Sequence, residues 1–381
     1  MVGFSTTPHG PFGVCDTGIP SDTGHSYVTL LLIHGFAWHG GNFARLLPHA
    51  SSYGIRIILL NRRDYPGSSP LTDDQHSRLH QSLSDDDDSR ANIQQHMNEQ
   101  AKELYDFLEA FAREEKLAPR SMIVGGWSFG SAWITAILAY ASSLPLREDA
   151  DPPSLGEYVR YILLYDPPYH ALGYPPPPNP YRPLSDPSLT PEEGIKIFPA
   201  WVSGYYHHPA LESDSSPGSG SGSDSAYIPN SPSALECRTP LDHPKPTILT
   251  MSENEIAAGL FTPPGAPGGS DDVVVRAGEK HGLYALLRER AVYLDGEEHT
   301  SNGASPQSGG WRDVGIRYLW CDQSAWQVPW GMWAMQGEIR EAEAAGRRMR
   351  EVEVVRLSGA NHFAHWDQPE RTLKAMLAES E

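Results

Sequence analysis

A serine stands in a pattern that suits covalent catalysis. Residues 126–130 read Gly-Trp-Ser-Phe-Gly, follow a short apolar run at 122–124 and precede a helical pattern that begins at 132. A serine at such a strand-to-helix turn has its hydroxyl held clear of the backbone, and the two glycines let strand and helix approach closely. The spacing predicts a nucleophile elbow at Ser128, with acyl transfer as its chemistry.

The serine needs a histidine to take its proton and a carboxylate to orient that histidine. His362 follows the predicted strand 352–357 and a short turn, at the same edge of the sheet as Ser128. It is therefore the predicted base. His365 lies one turn further on and is predicted to have a structural role, as is His34, which directly precedes a turn glycine.

An oxyanion hole is the next requirement, because charge that develops on a tetrahedral intermediate must meet donors already in place. The backbone N–H of Phe129, the residue after the nucleophile, is one candidate donor. The turn that follows the apolar strand 27–33 offers a second at Phe36.

These groups need a scaffold, and the apolar pattern predicts one. Six runs are continuously apolar, which is typical of strands buried on both faces of a parallel sheet. Helical patterns lie between them, so the chain is predicted to be an α/β protein with a doubly wound sheet. The predicted strands are 27–33, 55–60, 122–124, 159–165, 316–320 and 352–357, and the predicted helices are 42–50, 93–116, 132–143, 330–349 and 369–379.

The alternation of strands and helices stops in the middle of the chain. Between about 170 and 295 no strand series continues and proline is dense, which predicts an inserted cap at 171–294 between two core segments, 1–170 and 295–381. Within the cap, residues 212–232 are rich in Ser, Gly and Asp and are predicted to form a flexible loop.

Four segments together resemble the α/β-hydrolase superfamily: the His34-Gly-Phe turn, the turn at 61–69, the elbow around Ser128, and Gly-Ala-Asn-His at 359–362. The resemblance implies a mostly parallel, doubly wound sheet with a mainly helical cap. It also implies that Ser128 is the nucleophile and His362 the general base. Haloalkane dehalogenases and epoxide hydrolases of this superfamily use a carboxylate nucleophile, so a serine disfavours both chemistries.

The sequence departs from the family pattern at the acid. The resemblance places it after the strand that follows the cap, in a loop resembling Gly-x-x-Asp, but here Ser324 occupies that position and Asp322 comes two residues early. Some members carry the acid on the preceding strand, where this chain has Asp166 before two prolines. Asp166 could also be a simple turn residue. Both aspartates remain candidates, with Asp166 placed first.

Aromatic residues around these motifs suggest an apolar or aromatic substrate. Trp38 and Trp127 flank the oxyanion turn and the elbow, and Tyr169 stands at the start of the cap. All three are predicted to contact substrate, although aromatic side chains serve equally well to attach a cap to its core.

The amino-acid composition limits the classes of binding partner that the protein can have. The 29 basic and 48 acidic residues give a net charge of −19, which disfavours nucleic acid and acidic membrane surfaces. Three widely spaced cysteines do not suggest disulfides or a zinc site, and the first residues do not resemble a signal peptide, so a cytoplasmic location is predicted. The sequence does not predict an oligomeric state.

The sequence thus predicts a serine hydrolase that acts on an apolar ester, lactone or related carbonyl compound through an acyl-enzyme, without cofactor or metal. Two alternatives remain open. One is a ligand-binding protein that keeps the fold without turnover, and the other is a cofactor-free lyase or acyltransferase that uses the same serine and histidine.

Overall fold

A single eight-stranded sheet organises the protein. The computed structural model describes residues 5–21, 27–141, 154–211, 235–294 and 310–378; the loop predicted at 212–232 lies outside them. The strand order is β1-β2-β4-β3-β5-β6-β7-β8. The strands are β1 (Thr7–His9), β2 (Phe12–Asp16), β3 (Val28–Ile33), β4 (Ile55–Asn61), β5 (Met122–Trp127), β6 (Val159–Tyr165), β7 (Gly315–Cys321) and β8 (Val352–Leu357).

The strands from β3 to β8 pair in parallel and correspond to the six predicted runs. β1 and β2 form an antiparallel hairpin on the edge of the sheet, and β2 pairs antiparallel with β4. This hairpin was not predicted from the sequence. The reason is physical, because β1 is three residues long and fully exposed and so has no apolar run to detect.

Both faces of the sheet are covered, which explains why its strands are continuously apolar. Along β3, Leu30 and Leu32 face one apolar core while Leu31 and Ile33 face the other. All seven residues of β4 are buried. Such two-sided burial is what a parallel sheet between helical layers requires.

The described residues contain eleven α-helices. They are α1 (Asp73–Gln81), α2 (Ser89–Glu114), α3 (Ser131–Tyr140), α4 (Leu155–Tyr158), α5 (Pro191–Val202), α6 (Glu253–Ala257), α7 (Ser270–Lys280), α8 (Leu283–Val292), α9 (Gln327–Ala345), α10 (Ala364–Asp367) and α11 (Pro369–Leu377).

In the first quarter of the chain, one predicted helix has a different type and one helix was not predicted. The helix predicted at 42–50 is a 3-10 helix, Gly40–His49, that contains Pro48, and a proline cannot donate the backbone bond of a regular helix. Helix α1 was not predicted, because Leu79 is its one buried residue and leaves no apolar periodicity. A capping box between Thr72 and Gln75 begins that helix.

The range predicted to form a cap, 171–294, holds helices α5 to α8 and contributes no strand to the sheet in its described part. Helix α8 packs closely against the core helix α3. The boundaries of the cap stay a prediction.

Candidate active site

Ser128 sits at a strained turn between β5 and α3. Its φ is +55°, a left-handed conformation that costs a non-glycine residue energy and is typical of a nucleophile elbow. A Cβ on Gly126 would lie 2.5 Å from the carbonyl oxygen of Gly130, and one on Gly130 would lie 2.5 Å from that of His34. The two glycines therefore permit the close approach that raises Ser128 from the sheet.

The oxyanion turn, residues 35–37, runs directly beside Ser128. A Cβ added to Gly35 would lie 2.9 Å from the Cβ of Ser128. Phe129 is the second residue of the short 3-10 turn Ser128–Gly130 that leads into α3, where the first backbone N–H groups have no partner within the helix. Both predicted donors, Phe36 and Phe129, belong to residues that line the same cavity as Ser128.

His362 lies on the loop after β8, and its ring is fixed by Asp166. His362 Nδ1 is 2.5 Å from Asp166 Oδ2, and the two side chains are 4% and 0% exposed. His362 and Ser128 line one cavity. Because Asp166 occupies Nδ1, Nε2 is the ring nitrogen that can serve the serine.

Asp166 is held by other donors as well. Its Oδ1 accepts from the backbone N–H of Cys321 at 2.6 Å, and its Oδ2 accepts from the Ser324 hydroxyl at 2.6 Å. The residue has a φ of +52° and follows the last residue of β6. Donors from the end of β7 and from the loop after β8 thus fix this carboxylate.

Asp322, the second candidate acid, has different partners. Its Oδ2 accepts from Arg356 Nε at 2.9 Å, and its Oδ1 accepts from the Gly359 backbone N–H at 2.7 Å. It therefore supports the loop that carries His362 and does not face the imidazole. Ser324, at the position where the family pattern places an acid, donates to Asp166 instead.

His34 and His365 both lie in structural networks. His34 Nε2 accepts from the Arg62 backbone N–H at 3.0 Å, so its Nδ1 carries the proton and donates to the Gly35 carbonyl at 2.9 Å. His365 lies between the Asn42 amide, 2.8 Å from Nε2, and the Tyr165 hydroxyl, 3.1 Å from Nδ1. Burial lowers the pKa of both imidazoles well below the ordinary value.

The cavity over Ser128 has a volume of about 410 Å³. Most of its lining is apolar, and two charged pairs lie on its wall. Arg182 is 2.9 Å from Glu279, and Arg276 is 3.3 Å from Asp272, so the charges balance. The apolar lining residues are Phe36, Phe129, Pro168, Leu184, Phe198, Trp201, Val202, Val275, Ala325 and Val328.

The structure does not bring the three predicted substrate contacts into this lining. Trp127 is buried behind the imidazole, with its ring 4.8 Å from that of His362 and its indole N–H donating to the His362 carbonyl at 2.9 Å. Trp38 lines a smaller side cavity, and Tyr169 lines a neighbouring one. These large rings are packed into the core, which sequence position alone did not distinguish from a place at the cavity.

Two uncharged polar side chains, His170 and Gln327, also belong to the lining. His170 stacks against Phe129 with ring centroids 6.2 Å apart, and its buried Nδ1 has no hydrogen-bond partner among the described residues. Burial lowers its pKa well below the ordinary value, so this imidazole is neutral near pH 7. Gln327, at the start of α9, also lines the cavity. No motif marks either residue.

Comparison with known families agrees with this geometry. Residues 30–375 match the alpha/beta hydrolase family. The chain belongs to that family. The family match and the mostly parallel sheet establish the predicted α/β-hydrolase fold and show the protein to be related to hydrolases. No curated protein sequence matches the chain.

Several solved structures are similar to the chain at low sequence identity. A thioesterase domain from the curacin biosynthetic pathway is 14% identical, with a TM-score of 0.42 over 96% of this chain and 95% of that one. A thermophilic esterase from Thermogutta terrifontis is 14% identical, with a TM-score of 0.42 over 98% and 95%. The haloalkane dehalogenase DatA from Agrobacterium tumefaciens is 13% identical, with a TM-score of 0.45 over 95% and 90%.

Two features are absent from the described part of the chain. None of its helices has the length and apolar character needed to cross a membrane. Its His, Cys, Asp and Glu side chains form no group of three that could hold a metal ion.

Proposed function

We propose that this alpha/beta hydrolase cleaves uncharged esters, thioesters or lactones with an apolar acyl or alcohol group, through an acyl-enzyme on Ser128. The observation that carries the proposal is the contact between His362 Nδ1 and Asp166, 2.5 Å long, beside a cavity that His362 shares with Ser128. A carboxylate in that place favours the tautomer that leaves Nε2 free to accept a proton.

In the proposed reaction Ser128 Oγ attacks the substrate carbonyl carbon while His362 Nε2 takes the hydroxyl proton. The negative charge moves to the carbonyl oxygen, which accepts from the backbone N–H groups of Phe36 and Phe129. When the tetrahedral intermediate collapses, His362 gives the proton to the leaving oxygen or sulfur and an acyl-Ser128 ester remains. Water, deprotonated by His362, then attacks that ester and releases the acid and Ser128.

The cavity supports an uncharged substrate. Its walls are mostly apolar, and its two cations each lie against a carboxylate, so it offers no net charge to attract an ion. Its volume of about 410 Å³ falls within the usual range for sites that bind small molecules. We also propose a small-molecule substrate with no nucleic-acid or membrane partner; the cytoplasmic location stays a prediction.

Steady-state hydrolysis of p-nitrophenyl esters by the purified full-length chain tests the proposal. Ser128→Ala should lower kcat by at least about 10⁴-fold while the fold is retained. Ser121→Ala is a matched control, because Ser121 precedes the other end of β5 and its hydroxyl donates to the Ala118 carbonyl at 2.6 Å. It should keep the activity of the natural chain.

Three outcomes would contradict the proposal. Turnover that survives in Ser128→Ala would exclude the serine mechanism. Saturable ester binding without product release would favour a ligand-binding protein. Transfer of the acyl group to an added alcohol, with no free acid formed, would favour an acyltransferase.

A further inference from the structure

Three buried polar residues lie beneath the oxyanion turn, and the reaction proposed above uses none of them. Arg62 and Tyr65 follow the end of β4, and Asp271 is the second residue of α7, in the predicted cap. All three are at most 4% exposed. Moving a charged side chain out of water costs free energy, so a buried charge requires an explanation.

The three side chains form one closed network. Arg62 Nη1 and Nη2 donate to the two oxygens of Asp271, each at 2.7 Å. The Tyr65 hydroxyl donates to Asp271 Oδ2 at 2.6 Å. Burial raises the pKa of Tyr65 well above its ordinary value, so this hydroxyl keeps the proton that it donates.

The network reaches the oxyanion turn at two points. Arg62 Nη2 donates to the carbonyl oxygen of Gly35 at 3.1 Å. The Tyr65 hydroxyl accepts from the backbone N–H of Ala37 at 2.9 Å. These two contacts flank Phe36, the residue whose own N–H is proposed to meet the oxyanion.

The turn needs such support because its conformation is strained. Ala37 has a φ of +61°, a left-handed conformation that a non-glycine residue keeps only when its surroundings impose it. An N–H group stabilises an oxyanion only when it already points at the place where the charge develops. A small rotation of the 35–37 backbone would turn the Phe36 N–H away.

Stability alone explains the network poorly. Replacing a buried ion pair by apolar residues is often neutral or stabilising, so such a pair is weak evidence for a stabilising role. The two contacts on the turn are specific, and they give the buried charges a role in holding the backbone of residues 35–37 in place.

We propose that Asp271 is a positioning residue, which fixes the oxyanion turn through the Arg62 guanidinium and the Tyr65 hydroxyl. Through these contacts, docking of helix α7 sets the direction of the Phe36 N–H. This inference rests on the proposed serine mechanism.

Two variants test it by different routes. Asp271→Asn cannot accept from both partners as a carboxylate does, and its amide NH₂ faces a donor. Tyr65→Phe removes the hydroxyl from Ala37 but leaves the Arg62–Asp271 pair, so it serves if Asp271→Asn does not fold. Glu353→Gln is the matched control, because it weakens the contact of another buried arginine, Arg317, 2.7 Å away between β7 and β8.

The measurements are kcat and KM for a p-nitrophenyl ester, the inhibition constant of a trifluoromethyl ketone, and the melting temperature. A backbone N–H that points in the wrong direction weakens binding of the transition state more than binding of the substrate. We expect Asp271→Asn and Tyr65→Phe to lower kcat about 10- to 100-fold, with KM within about threefold and a parallel loss of ketone affinity. Glu353→Gln should keep both constants.

Values of kcat within twofold of the natural chain in both folded variants would overturn the inference. So would a KM increase without loss of kcat or of ketone affinity. An equal loss of kcat in Glu353→Gln would show a general effect of losing an ion pair. Failure of the serine mechanism itself is separate, because it would appear as turnover in Ser128→Ala.

Discussion

The ends of β6 and β7 carry similar residues with different tasks. Each strand is followed at once by a buried aspartate, Asp166 or Asp322, and both aspartates contact the loop after β8. Asp166 contacts the His362 ring, whereas Asp322 contacts the Gly359 backbone and Arg356. Residue type and burial therefore do not determine the role of a carboxylate next to the site. The partner it faces decides whether it orients the base or supports the loop that carries the base.

The largest difference between the two ends should appear in Asp166→Asn. An amide at this place would favour the wrong tautomer of His362, so kcat for ester hydrolysis should fall by about 10⁴-fold with little change in KM. Steady-state kinetics on the folded variant measures this loss. If kcat stays within tenfold of the natural chain, Asp166 is not the acid.

Moving the carboxylate to the end of β7 tests whether a negative charge near His362 is sufficient. The Ser324 hydroxyl lies 2.6 Å from Asp166 Oδ2, which itself lies 2.5 Å from His362 Nδ1. Adding Ser324→Asp to Asp166→Asn should recover at least about tenfold in kcat, because a carboxylate after β7 can then approach His362. Recovery by Ser324→Asn in the same background would show that charge is not the cause.

Asp322→Asn should have a smaller effect, and mainly on stability. The variant loses the negative charge that accepts hydrogen bonds from Arg356 and Gly359. A hydrogen bond to a charged group contributes about 1.5–3 kcal/mol to stability. We expect a lower free energy of unfolding in a urea titration, with kcat reduced less than about tenfold. A loss of kcat as large as that of Asp166→Asn would remove the distinction between the two ends.

An effect on stability alone concerns pH and His208, a residue of the predicted cap that contacts the loop after β7. His208 Nε2 donates to the Ser324 carbonyl at 2.8 Å and Nδ1 accepts from the Glu236 backbone N–H at 3.1 Å, so the imidazole is neutral. Burial lowers its pKa from 6.5 to about 4. Above pH 6.5 neither state binds the proton; between 6.5 and about 4 only the unfolded chain does. The free energy of unfolding therefore falls as the pH is lowered through that window, by at most about 1.4 kcal/mol per pH unit for this group.

His208→Gln tests that pH dependence. Glutamine does not titrate, so the free energy of unfolding should fall less steeply between pH 6.5 and about 4 than in the natural chain. Urea titrations at several pH values give both slopes. Equal slopes would mean that His208 is not held neutral.

The sequence predicted those parts of the molecule whose local pattern reports their surroundings. The six parallel strands were continuous apolar runs because both of their faces are buried, and Ser128 was marked by the glycines that its turn requires. The exposed strand β1 and the polar helix α1 left no such pattern.

The site itself was predictable only in part. Ser128, His362, Phe36 and Phe129 come from separate motifs of the sequence and line one cavity. Which aspartate faces His362 depends on where two strand ends point, which sequence spacing does not fix. Asp271 comes from a different part of the chain and meets Arg62 only through the tertiary fold, so no local pattern could indicate it.

We propose that Asp166 and His362 together activate Ser128. Labelling of the purified chain by a fluorophosphonate, followed by peptide mapping and measurement of the labelling rate, tests it most directly. We predict one adduct, on Ser128, with the rate lowered at least about 100-fold in His362→Ala and in Asp166→Asn but nearly unchanged in Asp322→Asn. An adduct on another residue, or an unchanged rate in folded His362→Ala, would contradict this proposal.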